Sequence, residues 1–149
     1  MAIEIKVLRP GDEGVLESVA PGVFDHVVDR SLTREFLGDG RHHLAVAVDS
    51  GLVVGFASAV HYVHPDKRPE LWVNEVGVAP THRGRGLAKA LLFALFEVGR
   101  EVGCVEAWIL TDRLNGPAMR LYASLGGTES PSDQVMFTFS LGPHESPIN

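Results

Sequence analysis

Ile3, Ile5 and Val7 alternate with polar residues up to the break at Pro10-Gly11. That period of two predicts a first strand. Val15, Leu16 and Val19 follow at the spacing of a short helical stretch. From 21 to 40 the pattern is mixed, and Ser31 is placed to cap a helical run over 32–37. Apolar, β-branched runs at 44–48 and 52–60 are separated by Asp49-Ser50-Gly51, which predicts a hairpin. A polar loop, His64-Pro65-Asp66-Lys67-Arg68-Pro69, leads into a strand over 71–78.

Beyond Pro80 the period changes. Leu87, Leu91, Leu92, Leu95, Phe96 and Val102 recur at helical spacing, and Gly103 is a fitting stop. A further strand is expected over 105–111 and a loop over 112–116. Pro117 suits the first turn of a second helix, which runs to about Leu125 and ends at Gly126-Gly127. Val135, Phe137, Phe139 and Leu141 alternate with Met136, Thr138 and Ser140, the pattern of a last strand, and 142–149 reads as a frayed tail. The elements predict one α/β domain over 1–149, with a mixed, mostly antiparallel central sheet flanked by helices.

Composition narrows the class. The 149 residues are 45% hydrophobic and 21% charged, as in a folded globular chain. No apolar run approaches the roughly 18 residues of a membrane helix. The start, Met-Ala-Ile-Glu-Ile-Lys, reads as a strand rather than a signal peptide. The single Cys104 excludes an internal disulfide, so a cytoplasmic location is expected, and its apolar setting suits a small core residue. A net charge of −6 argues against general nucleic-acid binding and is compatible with a cationic substrate or with plain solubility. His42-His43, His61-x-x-His64 and His82 lack a helical i, i+4 pair with a third ligand, so no metal is expected.

The chemistry concentrates where the fourth strand meets the long helix, at Arg83, Gly84, Arg85, Gly86, Leu87 and Ala88. Helix N-termini favour Asp or Glu, yet this first turn carries arginines and no acid. An anionic ligand, phosphate above all, would complete it, and two glycines let backbone amides approach a pyrophosphate. A surface turn with two solvated arginines is the alternative. The Walker and dinucleotide-binding spacings are absent. The pattern Arg83-x-x-Gly86-x-Ala88 resembles the acyl-CoA pyrophosphate loop of the GNAT N-acetyltransferases, Gln/Arg-x-x-Gly-x-Gly/Ala. A second signature, Asn115-x-x-Ala118-x-x-Leu121-Tyr122 with Leu125-Gly126, carries the resemblance further.

The resemblance implies the GNAT fold and acetyl-CoA as co-substrate. It implies that the backbone of Val76, Gly77 and Val78 pairs with the pantetheine arm and that Asn115 touches the CoA arm. It also makes Tyr122 the acid that protonates the departing thiolate, a role a phenol within hydrogen-bond reach can fill; otherwise Tyr122 is a half-buried packing residue. Gly77 in mid-strand suits a bulge or close ligand approach. Glu75, a carboxylate in an apolar strand, is the first candidate for the base that an ammonium nucleophile requires, directly or through water; a solvent-facing strand Glu is the plain reading. Asp112 holds or deprotonates a cationic substrate, or is a turn former. The family commonly has Phe where this chain has Gly127.

A narrower resemblance reaches the aminoglycoside 3-N-acetyltransferases. It is carried by Val54-Gly55, Tyr62-Val63, Glu75, Asp112, Pro117-Ala118, Leu121-Tyr122 and Asp133-Gln134-Val135-Met136-Phe137. It implies that Glu75, Asp112 and Asp133 line one cleft for a polyamine sugar. Outside the resemblance, which is patchy before Leu52, Phe24, Asp25, His26 and Asp29 of the 21–30 segment are candidates for a further wall that no motif supports. Polyamines, amino acids and protein amines are the rival substrates, and a catalytically silent CoA-binding sensor is the rival class. A small-molecule amine is the expected partner, with no nucleic acid and no membrane; a homodimer is left open.

Overall fold

Five strands in the order β1-β2-β3-β4-β5 build the sheet: Glu4–Val7, His42–Asp49, Leu52–Tyr62, Glu70–Val78 and Ala107–Ile109. Neighbours are antiparallel from β1 to β4, and β5 runs parallel to β4. The computed structural model describes residues 2–130 and 133–143. They fall into two compact units, Met1–Leu110 and Thr111–Asn149. The hairpin expected at 49–51 forms with Ser50 at φ 51° and Gly51 at φ 82°. Two consecutive left-handed residues match the twist of the flanking strands.

One sheet face is built for a helix. Ala45, Ala47, Ala57 and Ala59 are wholly buried there, and their small side chains let α2 (Leu87–Glu101) sit close. A Cβ added to Gly55 would stand 3.3 Å from Leu91, and one added to Gly99 would stand 3.0 Å from Leu71. Leu91, Leu92 and Leu95 of α2 are at most 1% exposed, each contributing about 1.5–3 kcal/mol by burial. The helix ends in a Schellman turn: Cys104 N–H donates to Gly99 O and Gly103 N–H to Arg100 O, with Gly103 at φ 93°.

The opposite face carries Phe56, Ser58, Val60 and Tyr62 of β3. Phe24 stacks on Phe56 at 4.0 Å, which lays the 21–30 segment over this face. The short stretch containing Val15 and Leu16 is a 3-10 helix, Glu13–Glu17. Helix α1 spans Arg30–Gly38 and is capped by Asp29, whose Oδ1 accepts from Leu32 N–H at 2.8 Å. Ser31 is therefore not the cap. The helix starts earlier because Asp29 caps it and places Thr33 and Leu37 inward.

In the second unit α3 spans Gly116–Ser124, with Asn115 as its N-cap and Pro117 in its first turn. It also ends in a Schellman turn, with Gly126 at φ 88° and Gly127 N–H donating to Tyr122 O at 3.0 Å. Two expected strands need correction. The one expected over 105–111 pairs with β4 only at Ala107, Trp108 and Ile109, while Val105 and Leu110 stay exposed. The alternating run 135–141 forms no strand; Val135, Phe137, Phe139 and Leu141 are 77–99% exposed. Alternation supplies matching side chains, but a strand also needs a neighbouring backbone to pair with. Of the expected tail 142–149, residues 144–149 lie outside the described residues. Among the described residues no helix is long and apolar enough to cross a membrane.

Candidate active site

β4 holds the centre of the site because it is irregular. Ser58 of β3 pairs with Glu75, whereas Ala59 pairs with Val73, so Asn74 is an extra residue in the ladder. In a regular strand, residues three apart point to opposite faces. The bulge at Asn74 cancels that rule. Glu75 shares the Ser58 face with Trp72, the partner of Val60, while Val73 and Val76 both face α2. Glu75 is exposed, and among the described residues its carboxylate has no ion-pair or hydrogen-bond partner.

The bulge, not Gly77, is the irregular point of the strand. Gly77 pairs regularly with Phe56, and a Cβ there would lie 2.4 Å from Val23 O and 2.9 Å from the Phe56 ring. Its bareness makes room for the 21–30 segment, and the bulge expected at Gly77 lies instead at Asn74. Val76 and Val78 behave differently. Ala79 N–H donates to Val54 O at 2.8 Å, so by alternation the N–H and C=O of Val76 and Val78 point away from β3. β5 pairs with β4 only at Leu71, Trp72 and Val73, leaving those groups without a backbone partner among the described residues.

The chain then passes through a 3-10 turn, Pro80–His82, into the glycine loop. Gly84 and Gly86 both sit at φ 76°, and a Cβ on either would meet nothing within 4 Å. Gly86 caps α2 without any side-chain bond, and the first turn carries no acid. The first helical bond is Ala90 N–H to Gly86 O, so the N–H groups of Leu87, Ala88 and Lys89 have no partner within the helix. Arg83 and Arg85 are exposed beside them. Free N–H groups, a bare left-handed backbone and two guanidinium groups fit a pyrophosphate. His82 anchors the loop: its Nε2 lies 2.8 Å from Asp49 Oδ2 in the β2–β3 turn, and its Nδ1 lies 2.8 Å from Thr81 Oγ1. The bond to His82 holds the Asp49 carboxyl below its ordinary range. The sequence reading missed this anchor, because nothing local links positions 49 and 82.

In the second unit, Asn115 Oδ1 accepts from Ala118 N–H at 3.1 Å, leaving the amide donors of its Nδ2 for a ligand. Asp112 is a turn former in fact: its Oδ1 accepts from Leu114 N–H at 2.8 Å, and its carbonyl accepts from Asn115 N–H. Asp112 is exposed. Tyr122 is half-buried on α3, and burial pushes its phenol above the ordinary value, so it remains a proton donor at neutral pH. Asp133 is exposed. Glu75 lies in the first unit, whereas Asp112, Asn115, Tyr122 and Asp133 lie in the second.

A cavity of about 550 Å³ in the first unit is lined by Glu13, Glu17, Phe24, Asp25, His26 and Arg30, among others. Phe24, Asp25 and His26 thus line a pocket, while Asp29 is spent on capping α1. Among the described residues no group of three or more His, Cys, Asp or Glu side chains could hold a metal ion. His43 and His61 instead bond each other, Nε2 to Nδ1 at 2.8 Å.

Comparison with known proteins gives the family. Residues 15–126 match the acetyltransferase (GNAT) family, across the boundary between the two units. The chain is 33% identical over 108 residues to a streptothricin acetyltransferase of Streptomyces lavendulae, covering 71% of this chain and 55% of that protein. It thus spans about half the length of the curated relatives it matches. An aminoglycoside acetyltransferase from an uncultured soil metagenomic sample superposes with a TM-score of 0.79 at 24% identity, over 95% of this chain and 100% of that one. An aminoglycoside N-acetyltransferase in complex with CoA gives a TM-score of 0.72 at 25% identity, over 94% and 95%. The mixed sheet with its bulged fourth strand and glycine loop is the GNAT fold, and the chain belongs to the GNAT acetyltransferase family.

Proposed function

We propose that residues 1–149 act as one domain that transfers the acetyl group of acetyl-CoA to an amine of a small cationic substrate, an aminoglycoside at its 3-amine. The carrying observation is the passage from an unpaired β4 edge through two left-handed glycines into an acid-free helix N-terminus. Val76 and Val78 present backbone groups for the pantetheine amides. The amides of 83–88, with Arg83 and Arg85, take the pyrophosphate, and the Asn115 amide touches the CoA arm. Bound acetyl-CoA supplies a thioester, whose carbonyl a β4 N–H polarises.

Glu75 accepts the proton that the attacking ammonium must lose, and Tyr122 Oη donates one to the leaving sulfur. Asp112 and Asp133 orient neighbouring ammonium groups. The relatives named for streptothricin and aminoglycosides support a polycationic substrate. A thiol-release assay with acetyl-CoA and a panel of gentamicin, spermine, free amino acids and a peptide amine tests the reading, with NMR of the product fixing the amine. Gentamicin turnover at the 3-amine is expected. Turnover confined to spermine or the peptide would refute the substrate, and acetyl-CoA binding with no turnover on any amine would make the domain a sensor.

A further inference from the structure

The sheet face that carries Glu75 also carries three stacked aromatic rings. Tyr62 of β3, Trp72 of β4 and Trp108 of β5 lie near-parallel. Trp72 and Trp108 are 4.9 Å apart between ring centroids at 11°, Tyr62 and Trp72 are 5.8 Å apart at 19°, and Tyr62 and Trp108 are 6.5 Å apart at 10°. A ladder this apolar belongs in a core, yet Tyr62 is 36% exposed and both tryptophans are only partly buried. Glu70 pairs with Tyr62 in register and adds a carboxylate beside the ladder, held near Lys67 at 3.3 Å. Glu75 adds a second carboxylate that no cation of the described residues pairs with. The bulge at Asn74 is what brings Glu75 round to the face of Trp72.

We propose that Tyr62, Trp72 and Trp108 form a stacking subsite for one ring of a multi-ring amino sugar whose reacting amine lies at Glu75. The inference rests on the acetyltransferase reading above and extends it to a part of the substrate remote from the chemistry. The rings stack on one another, so it is the outer, partly exposed surface of the ladder that complements the C–H face of a saturated ring and attracts the ammonium groups it bears. Glu70 and Glu75 supply the matching negative charge. Trp72 and Glu75 are three residues apart, roughly 10 Å along the strand. A single-ring amine cannot touch both; an amino sugar of several rings can. A linear polyamine has the charge but no face to stack.

Trp72 and Trp108 are the only two tryptophans of the chain, so tryptophan emission reports on this ladder alone. Gentamicin and spermine are titrated into the full chain, and thiol release is measured in parallel for wild type, Tyr62→Ala, Trp108→Phe and Trp108→Ala, with thermal melts to confirm folding. Gentamicin should change the emission saturably and spermine should not. Tyr62→Ala and Trp108→Ala should raise the gentamicin KM about tenfold with kcat and acetyl-CoA KM within about twofold, and Trp108→Phe should keep most of the affinity. Gentamicin turnover with an unchanged KM in both alanine variants would overturn the subsite and leave the acetyltransferase reading intact. Saturable emission changes without turnover would support the subsite and refute the catalytic reading. Emission that depends on protein concentration and ignores gentamicin would mean that a second copy covers the ladder, and would overturn the subsite.

Discussion

Gly77 and Gly86 lie on either side of the strand-to-loop passage, and the structure assigns them different reasons for lacking a side chain. At Gly77 a Cβ would stand 2.4 Å from Val23 O and 2.9 Å from Phe56 Cε1. One neighbour is backbone, and the other is a ring held at 4.0 Å against Phe24, so neither yields easily. Gly77→Ala is an overpacking change of about 1–3 kcal/mol. At about 2–4 °C per kcal/mol for a chain of this size, Tm should fall by roughly 2–12 °C. Acetyl-CoA affinity should stay within about threefold, because the carbon clashes with the protein itself. At Gly86 nothing lies within 4 Å, but φ is 76°. Gly86→Val has room and the wrong backbone preference, which costs about 1–2 kcal/mol. Its larger effect should be on ligand: losing one charge-assisted amide bond weakens acetyl-CoA about tenfold or more. Melting by fluorimetry and acetyl-CoA titration by calorimetry separate the two. A Gly77→Ala protein with wild-type Tm and weakened acetyl-CoA binding would reverse the assignment made here, and a Gly86→Val protein binding acetyl-CoA as wild type would remove the phosphate loop.

Tyr122→Phe should lower kcat about 10- to 1000-fold with acetyl-CoA affinity nearly intact, measured by thiol release and calorimetry, since the hydroxyl acts as the thiolate forms; wild-type turnover would leave Tyr122 a packing residue. Glu75→Gln should lower kcat more than it raises the amine KM, whereas Asp112→Asn and Asp133→Asn should do the opposite. The Asp112→Asn change keeps an Oδ1 for Leu114 N–H, so a KM effect there would report lost charge rather than a broken turn. Burial first, and then the charges of His61 and His42, lower the His43 imidazole to about 4 from 6.5. The folded chain thus refuses a proton that the unfolded chain accepts, and stability should decline from about pH 6.5 down to about pH 4, then level as both states become protonated. His43→Gln should flatten that part of a Tm-against-pH curve, and an unchanged slope would show that other groups set it.

Much of the fold was legible wherever a local rule decides the backbone. Ser50-Gly51 between two β-branched runs admits little but a primed turn, and Gly103 and Gly126 mark helix ends because only glycine takes their left-handed φ readily. Gly127, where relatives by resemblance carry Phe, is explained by the same turn: its Cβ would lie 2.9 Å from Tyr122 O. The cap of α1 was not legible, since Asp29 and Ser31 are both good caps and the choice depends on which register buries Thr33 and Leu37. Nor were the limits of β5 or the absence of pairing over 135–141. Alternation describes a side-chain pattern, and whether a backbone neighbour exists is decided elsewhere in the chain.

The candidate site divides along the same line. The phosphate loop could be read because its evidence is contiguous: glycines, arginines and missing acids within one turn of helix. Glu75 could be picked out as an odd carboxylate, but not the face it occupies. Strict alternation from Leu71 gives Val73 and Glu75 a common face and sends Trp72 to the other. The β3 register reverses this, because Ser58 and Ala59 are adjacent while their partners Glu75 and Val73 are not. One unpaired residue, Asn74, therefore decides that the carboxylate stands with Trp72, Ser58 and Phe56 instead of against the leucines of α2. It also lets Val73 and Val76 both meet the helix, so the strand loses no core contact by presenting its acid to solvent. Deleting Asn74 would set Val73 and Glu75 side by side opposite Ala59 and Ser58, a regular ladder that keeps Glu75 on the Trp72 face and Val73 and Val76 towards α2. The deletion therefore removes the bend of the bulge and keeps the face of the base, so a folded deletion protein should retain acetyl transfer and acetyl-CoA binding. Lost transfer with intact acetyl-CoA binding in a folded Asn74 deletion would show that the bend of the bulge, and not the face of Glu75 alone, places the carboxylate.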